Sequence, residues 1–308
     1  MESLSTTCVW IALFTVIAAG ALYWAHVLGL RVVMRQMSTG VGSSGPVVAT
    51  IVRGDTNGWA EGAGRAATGA SWVALALLIV ALVARWDAVG HAPWSNMYEF
   101  TTAFATTILG FYTIFERMYV KPHAARSARA LGTVAMPVVA IMLAIALLYF
   151  PTDVHPLVPA LQNADLLAIH VACMIIAYSA LSVSFVAGAL YMVQGGNLNR
   201  FARLPKARTL DEIAYKSVMI GFPVLAAGIA LGAYWANHAW GRYWGWDPKE
   251  TSALVTWLIY GVYLHMRGLR KWSGMRSATV LVVGFGAVMF TYFVVNLWVS
   301  GLHSYAGV

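Results

Sequence analysis

The stretch LGTVAMPVVAIMLAIALLYF, Leu131–Phe150, decides the fold. It contains no charged residue and is long enough for a helix to cross about 30 Å of hydrocarbon. In lipid every backbone N–H and C=O has to be paired within the segment, so such a run takes helical form. Seven further apolar runs flank it: Cys8–Leu30, Ala66–Ala84, Met97–Phe115, Leu166–Val193, Ser217–Trp235, Thr251–Met266 and Ser277–Ser300. Against a guide of about 20 residues the third and seventh runs in chain order are short. The fifth is long enough to tilt or to project from the bilayer. The expected fold class is an all-α integral membrane protein, a bundle of about eight transmembrane helices forming one polytopic domain over residues 1–308. Composition agrees, with 60% hydrophobic and 10% charged residues, which excludes a soluble domain of this size. The first run lacks a positive n-region and a small-x-small cleavage site, so it is expected to remain as a helix rather than to be a signal peptide.

A net charge of +8 alone would suit nucleic acid, but its distribution does not. Arg31, Arg35, Arg53 and Arg65 occupy one loop; Arg117, Lys121, Arg126 and Arg129 the next alternate one. Arg200, Arg203, Lys206, Arg208 and Lys216 follow, then Arg267, Arg270, Lys271 and Arg276. The opposite face keeps only Arg85, Arg242 and Lys249. The basic face is the inner one, so both termini are expected outside, and the partner implied is the bilayer, not nucleic acid. Ser38–Gly64, rich in Gly, Ser and Thr, reads as a flexible inside loop. Cys8 and Cys173 are far apart in apolar runs, which excludes a CxxC redox motif, a zinc knuckle or a disulfide framework.

On the outer face lies WGRYWGWDPKE, Trp240–Glu250. An interfacial belt needs only scattered rings. Three tryptophans and a tyrosine within eleven residues, set between glycines, suit a flat apolar ligand with polar edges. Asp247 reads as the N-cap of the seventh helix, with Pro248 at its first position and Glu250 in its first turn; a carboxylate pair is the alternative.

Histidines at two depths add to this. At 1.5 Å per residue, His170 lies about 6 Å below the outer start of its run. His303 follows the last run, also outside, while His265 sits about 20 Å below Glu250, near the inner leaflet. His26 is at a similar inner depth. His91, His123 and His155 read as solvated loop residues. A haem is an apolar plate with two propionates and an iron that takes axial imidazoles. Two outer histidines would hold such a plate, the tryptophans would cover it, and Arg242 or Lys249 would pair with a propionate.

WGRYWGWD, Trp240–Asp247, resembles the WGxxWxWD signature of the haem-handling membrane proteins of cytochrome c maturation. WDPKETSALVTWLIYGVYLHMR (Trp246–Arg267), VNLWVSGLHSYA (Val295–Ala306) and HAPWSNMYEF (His91–Phe100) resemble the CcsA (ResC) family in particular, so the resemblance runs from about residue 90 onward. It implies the membrane core of a System II cytochrome c synthase, working with a CcsB (ResB) type membrane protein. Such a core receives haem b from inside, moves it out and presents it to apocytochrome c, whose CxxCH thiols add to the haem vinyl groups. It implies His170 and His303 as outer axial ligands. It implies His265 at a transmembrane haem site whose opposite ligand comes from the partner, with His26 as a local alternative. The external segment 236–250 would bind haem through Trp240, Arg242, Tyr243, Trp244, Trp246 and Asp247. The expected location is a bacterial cytoplasmic membrane, with a thylakoid membrane as the alternative. Gly245, His238 and Trp94 depart from the family pattern without removing a ligand.

Other polar or special positions in the spans have plain readings. Gly228 and Gly232 form a GxxxG packing face, Pro137 and Pro223 kink their helices, and Asn296 bonds a neighbouring helix. Asp153, Asp165 and Glu99 read as solvated or capping residues near the outer boundary. Two rival functions share these features. One is a haem transporter or delivery subunit without ligation. The other is a dihaem electron-transfer protein, which requires a histidine pair at each depth.

Overall fold

The computed structural model describes residues 1–30, 32–36, 49–53, 58–119, 128–154, 164–269 and 274–303. Eight long helices stand among them. They are α1 (Glu2–Gly29), α2 (Gly58–Val89), α3 (Met97–Tyr119), α4 (Gly132–Tyr149), α5 (Ala164–Val193), α6 (Ala207–Trp240), α7 (Pro248–Gly268) and α8 (Met275–Met289). The last continues through a π-turn at Phe290–Val294 into Val295–Trp298. Between α1 and α2 a short antiparallel pair, β1 (Val32–Gln36) and β2 (Ala49–Arg53), is the one departure from an all-α integral membrane bundle among the described residues.

Helices α1, α2, α4, α5, α6 and the whole of α8 are long and apolar enough to cross a membrane. The protein is therefore a multi-pass membrane protein. The third and seventh runs, short on apolar count, become helices of 23 and 21 residues, long enough to span but less apolar than the other six. In α3 the polar side chains face inward. Thr101, Thr102, Thr106 and Thr113 are buried, and Thr106 and Thr113 return their hydroxyls to the carbonyls of Thr102 (2.7 Å) and Gly110 (2.9 Å). That back-bonding keeps the Thr106 and Thr113 hydroxyls satisfied without water.

The reading of Ser38–Gly64 as one loop needs correction where it is described. Ala49–Arg53 pairs with Val32–Gln36, and Gly58–Gly64 already forms the first turns of α2. Residues 38–48 and 54–57 lie outside the described residues, as do His123 and His155.

The helices pack as two groups. In the first half α1 lies along α2 and α4, and α3 bridges α2 and α4. In the second half α5 lies along α6 and α8, and α7 packs on α8 and α6. The α3–α5 contact joins the halves. Pro137 and Pro223 fall inside α4 and α6, as expected for helices whose freed carbonyls are served by neighbours.

Of the two roles expected for Glu99, solvated or capping, the structure keeps the second: from the first turn of α3 its carboxylate reaches back to the Ser95 N–H, and Asn96 Oδ1 accepts the Glu99 N–H at 2.9 Å. Glu99 is 2% exposed and faces the Arg85 guanidinium at 2.9 Å, while its other oxygen accepts from the Ser95 N–H and hydroxyl. Arg85 in turn donates to the carbonyls of Thr152 (2.7 Å) and Asp153 (3.3 Å). At the other end of the same half Arg129 meets Glu61 at 2.7 Å and Glu116 at 3.7 Å, and Glu116 accepts from the Tyr23 hydroxyl at 2.6 Å. These pairs clamp the first half at both ends. Hydropathy patterning misses them because charges that neutralise each other sit singly within otherwise apolar segments.

Candidate functional site

The turn between α6 and α7 is built from its ends. Helix α6 stops at Gly241, whose φ of +70° is the left-handed conformation that closes a helix, with its N–H bonded to the Asn237 carbonyl at 3.0 Å. Helix α7 starts at Asp247 with a capping box and Pro248 behind it. The Asp247 carboxylate accepts from the Lys249 N–H at 3.1 Å, and Glu250 reaches back to the N–H groups of Asp247 (3.1 Å) and Gly245 (2.9 Å). Capping is thus the local role of both carboxylates. Between the caps Trp246 is held at φ +55°, a region costly for a side chain of this size, with 69% of its surface exposed.

Below this turn a cleft opens among α3, α5, α6, α7 and α8, with an empty volume of about 820 Å³ including the part open to solvent. His170, Met174 and Tyr178 line it from α5; Gly232 and Trp235 from α6; Lys249 and Glu250 from α7; Thr291, Tyr292 and Asn296 from α8. Phe100 comes from α3, Trp244 from the turn, and His303 from the segment after α8. The two outer histidines, 133 positions apart in the chain, therefore face one space.

Each imidazole is fixed through its Nδ1. His170, about 9 Å along α5 from Ala164, has Nδ1 at 2.7 Å from the Gly228 carbonyl. Gly232 is needed one turn further on: a Cβ there would stand 2.5 Å from the ring's Cε1. The GxxxG of α6 is a packing face, as the sequence reading holds, and it is also the seat of His170. His303 has Nδ1 at 2.7 Å from the Asp247 carboxylate, which also accepts the Leu302 N–H at 2.6 Å. Gly301 lets the chain pass this close, since a Cβ there would lie 2.5 Å from the same carboxylate. With Nδ1 donating, the Nε2 of each ring carries the lone pair, the tautomer that ligates a metal.

Burial, with the nearby Lys249 charge, holds His303 below its ordinary pKa despite the upward pull of Asp247. The imidazole therefore keeps its lone pair at neutral pH. For Asp247 burial acts upward, but the hydrogen bonds from His303, Leu302 and Lys249 outweigh it and hold the carboxyl below the usual range.

Of the other expected residues, Trp240 packs edge-on against His303 (4.9 Å between centroids) and against Trp235 (4.8 Å). Trp244 lines the cleft and meets Trp246 edge-on at 5.7 Å. Tyr243 is 57% exposed and Arg242 is exposed beside Gly245; neither lines the cleft. Lys249 does, donating to Asn296 at 2.7 Å. The expected helix-to-helix bond of Asn296 is present, with α7 as its neighbour.

At the inner end His265 lies exposed on the outside of α7. His26 is fully buried in the α1–α2 seam, its Nδ1 at 2.7 Å from the Ala60 carbonyl. The two are in different halves of the bundle. Trp235, absent from the sequence-derived set, is fully buried, lines the cleft and stacks near His303 (6.2 Å). Its Nε1 and the Tyr178 hydroxyl are buried without a hydrogen-bond partner. Nothing in one apolar helix flags Trp235. Its distance of five residues from Trp240, with Gly241 ending the helix, is the available signal.

Residues 94–303 match the Cytochrome C assembly protein family. The chain is 38% identical over 236 residues to the cytochrome c biogenesis protein CcsA of Chlamydomonas reinhardtii, covering 74% of this chain and 65% of that one. It is 34% identical over 299 residues to the CcsA of Synechocystis sp., covering 78% of this chain and 87% of the other. Among solved structures the cytochrome c haem lyase CcmF superposes with a TM-score of 0.66 at 19% identity, over 95% of this chain and 46% of CcmF. At that identity the likeness is one of fold.

Proposed function

The chain belongs to the cytochrome c assembly protein family, of the CcsA kind, and serves cytochrome c biogenesis; from that premise we propose that its outer cleft holds haem b, as substrate, for attachment to apocytochrome c. One observation carries the reading: His170 and His303 face a single cleft, each with its Nδ1 fixed. The rest of the lining suits the guest. The walls are mainly apolar and aromatic, Trp235 and Tyr178 offer buried polar atoms without partners, and Lys249 brings a positive charge.

In this reading His170 and His303 supply the two imidazoles and exclude dioxygen from the iron. Asp247 keeps His303 in the ligating tautomer, as carboxylates do behind metal-bound histidines. Trp244 and Trp235 wall the cleft, Trp240 backs it by packing on His303 and Trp235, and the exposed Trp246 and Tyr243 stand at the rim in the external segment 236–250. The work is positioning. A cysteine S–H adds across a haem vinyl C=C, the sulfur to one carbon and the hydrogen to the other, with no net electron transfer. No nucleophile–base pair of the protein is needed for that balance. Ligation requires a CcsB/ResB-type partner and a supply of haem from inside. His265, exposed on α7 at inner depth, is the proposed ligand for that earlier site, its opposite ligand coming from the partner. The membrane is a bacterial cytoplasmic membrane; relatives in cyanobacteria and a green alga keep a thylakoid membrane as the alternative.

The dihaem electron-transfer reading requires a second histidine pair. His26 and His265 lie apart, in the α1–α2 seam and on the outside of α7, which counts against it. Transport without ligation is separated by experiment. The chain is produced with its partner and an apocytochrome in a host stripped of other maturation systems. Covalent holocytochrome that disappears in His170→Ala and His303→Ala is the expected result. Haem bound by the chain with no covalent product would leave delivery alone. Absence of haem from the purified complex would sink the haem reading altogether.

A further inference from the structure

Both carboxylates beside the cleft are already satisfied by hydrogen-bond donors within the protein. Asp247 is met by His303 and two backbone N–H groups, and Glu250 by two more. Lys249, the one lysine or arginine lining the cleft among the described residues, has no carboxylate within 4 Å there. Its ammonium donates instead to the Asn296 side-chain oxygen at 2.7 Å. Asn296 is itself locked, its amide N–H₂ given to the Tyr292 carbonyl at 2.7 Å, so its oxygen is aimed at the lysine. The π-turn at Phe290–Val294 ends two residues before Asn296, which faces α7. An ammonium lodged against a neutral amide in a largely apolar recess is poorly compensated, and a carboxylate is the group that completes it.

Resting on the haem reading of this same cleft, we propose that Lys249, steered by Asn296, is the specificity residue that anchors a free carboxylate of the bound plate. The ligand class is thereby narrowed to an amphiphilic macrocycle with an ionised carboxylate on one edge. A porphyrin whose carboxylates are esterified fits the apolar walls and offers the same iron, but leaves the ammonium without an anion. The carboxylate also fixes which edge of the plate lies deep, so the residue decides orientation as well as retention. Arg242, exposed at the rim and outside the cleft, has no such role.

The test uses the full chain, purified with its membrane partner and stripped of endogenous haem. It is titrated with ferrous haem b and, separately, with ferrous haem b dimethyl ester, following the absorption of the bound plate. Wild type is expected to favour the free acid by about tenfold or more, the worth of one charge-assisted contact. Lys249→Met is expected to lose that preference while binding the ester as wild type does, which also shows that the variant is folded. Lys249→Arg is expected to keep most of the preference and Arg242→Met all of it. Equal affinity of wild type for both probes would overturn the inference and leave the haem reading standing. So would Lys249→Met retaining the full preference, or Arg242→Met abolishing it. Failure of wild type to bind either probe would overturn the haem reading and the inference together.

Discussion

In the first half of the bundle Arg85 faces Glu99 at 2.9 Å and Arg129 faces Glu61 at 2.7 Å; in the second half Lys249 gives its hydrogen bond to the neutral amide of Asn296 at 2.7 Å. Both halves bury ionisable groups in helices that cross a membrane. In α1 to α4 each buried cation has a carboxylate from another helix, so the charges cancel and the helices are locked. Around the outer cleft the carboxylates are consumed in capping α7 and in holding His303, and the ammonium is left with a neutral partner. Paired charge marks the scaffold and under-compensated charge marks the place where a ligand belongs. Intramembrane ionisable residues are functional suspects by default, and their partners decide which suspects to keep.

The largest effect is expected from breaking a scaffold pair. Arg85→Ala strands Glu99 in a site where it is 2% exposed, and stability should fall by about 3–5 kcal/mol. Thermal unfolding of the detergent-purified protein checks this, and an unchanged midpoint would refute the scaffold role. Next in size comes the site itself. His170→Ala and His303→Ala should each lose most of the bound haem spectrum at little cost in unfolding temperature, and added imidazole should restore it. A large drop in stability without rescue would make these histidines structural.

Gly232→Ala should act more weakly and in the same direction. The new methyl would meet the His170 ring at 2.5 Å, so the ring has to move while α6 gains helix propensity. The expected outcome is reduced haem retention with unfolding unchanged or slightly later. The effect of acid is smaller still. The folded value of His303 lies below the unfolded value of about 6.5, so the folded state binds fewer protons and stability rises with pH through that window. The contribution is complete above about pH 6.5 and is lost as pH falls toward the folded value. Asp247, also held low, stays ionised there, and its own contribution is lost only below about pH 4. Haem retention should stay flat from pH 8 through about 6.5 and decline only once the pH drops below the lowered folded value of His303; a decline on raising the pH would reverse the assignment. At the bottom of the scale, Lys216→Met removes a half-exposed pair with Glu212 one turn away, and stability should change by no more than about 0.5 kcal/mol.

How far the sequence reached can be followed residue by residue. The Trp-rich turn, the cap at Asp247 and the outer depth of His170 were legible, because capping chemistry and helical rise act over a few residues. For Glu99 the capping role is legible, but its burial against Arg85 is not, because that partner lies on another helix. Arg242 and Lys249 were equal choices as propionate partners, since both flank the same tryptophans. The structure puts Arg242 outside and Lys249 in the cleft wall because the left-handed Gly241 turns the chain away before α7 begins. Gly228 and Gly232 were read for packing alone; their second use needs the α5 ring that rests on them.

By itself the sequence determined a multi-pass helical membrane protein with a dense aromatic turn and histidines at two depths. Those features follow from local period, length and composition, which a bilayer reads one segment at a time. Only the tertiary structure decided that His170 and His303 share one cleft, that Asp247 both caps α7 and holds His303, and that Lys249 has no carboxylate within 4 Å among the described residues. Each is a contact between helices far apart in the chain, and in a bundle the rotation of each helix about its axis, which no single segment encodes, sets which side chains meet.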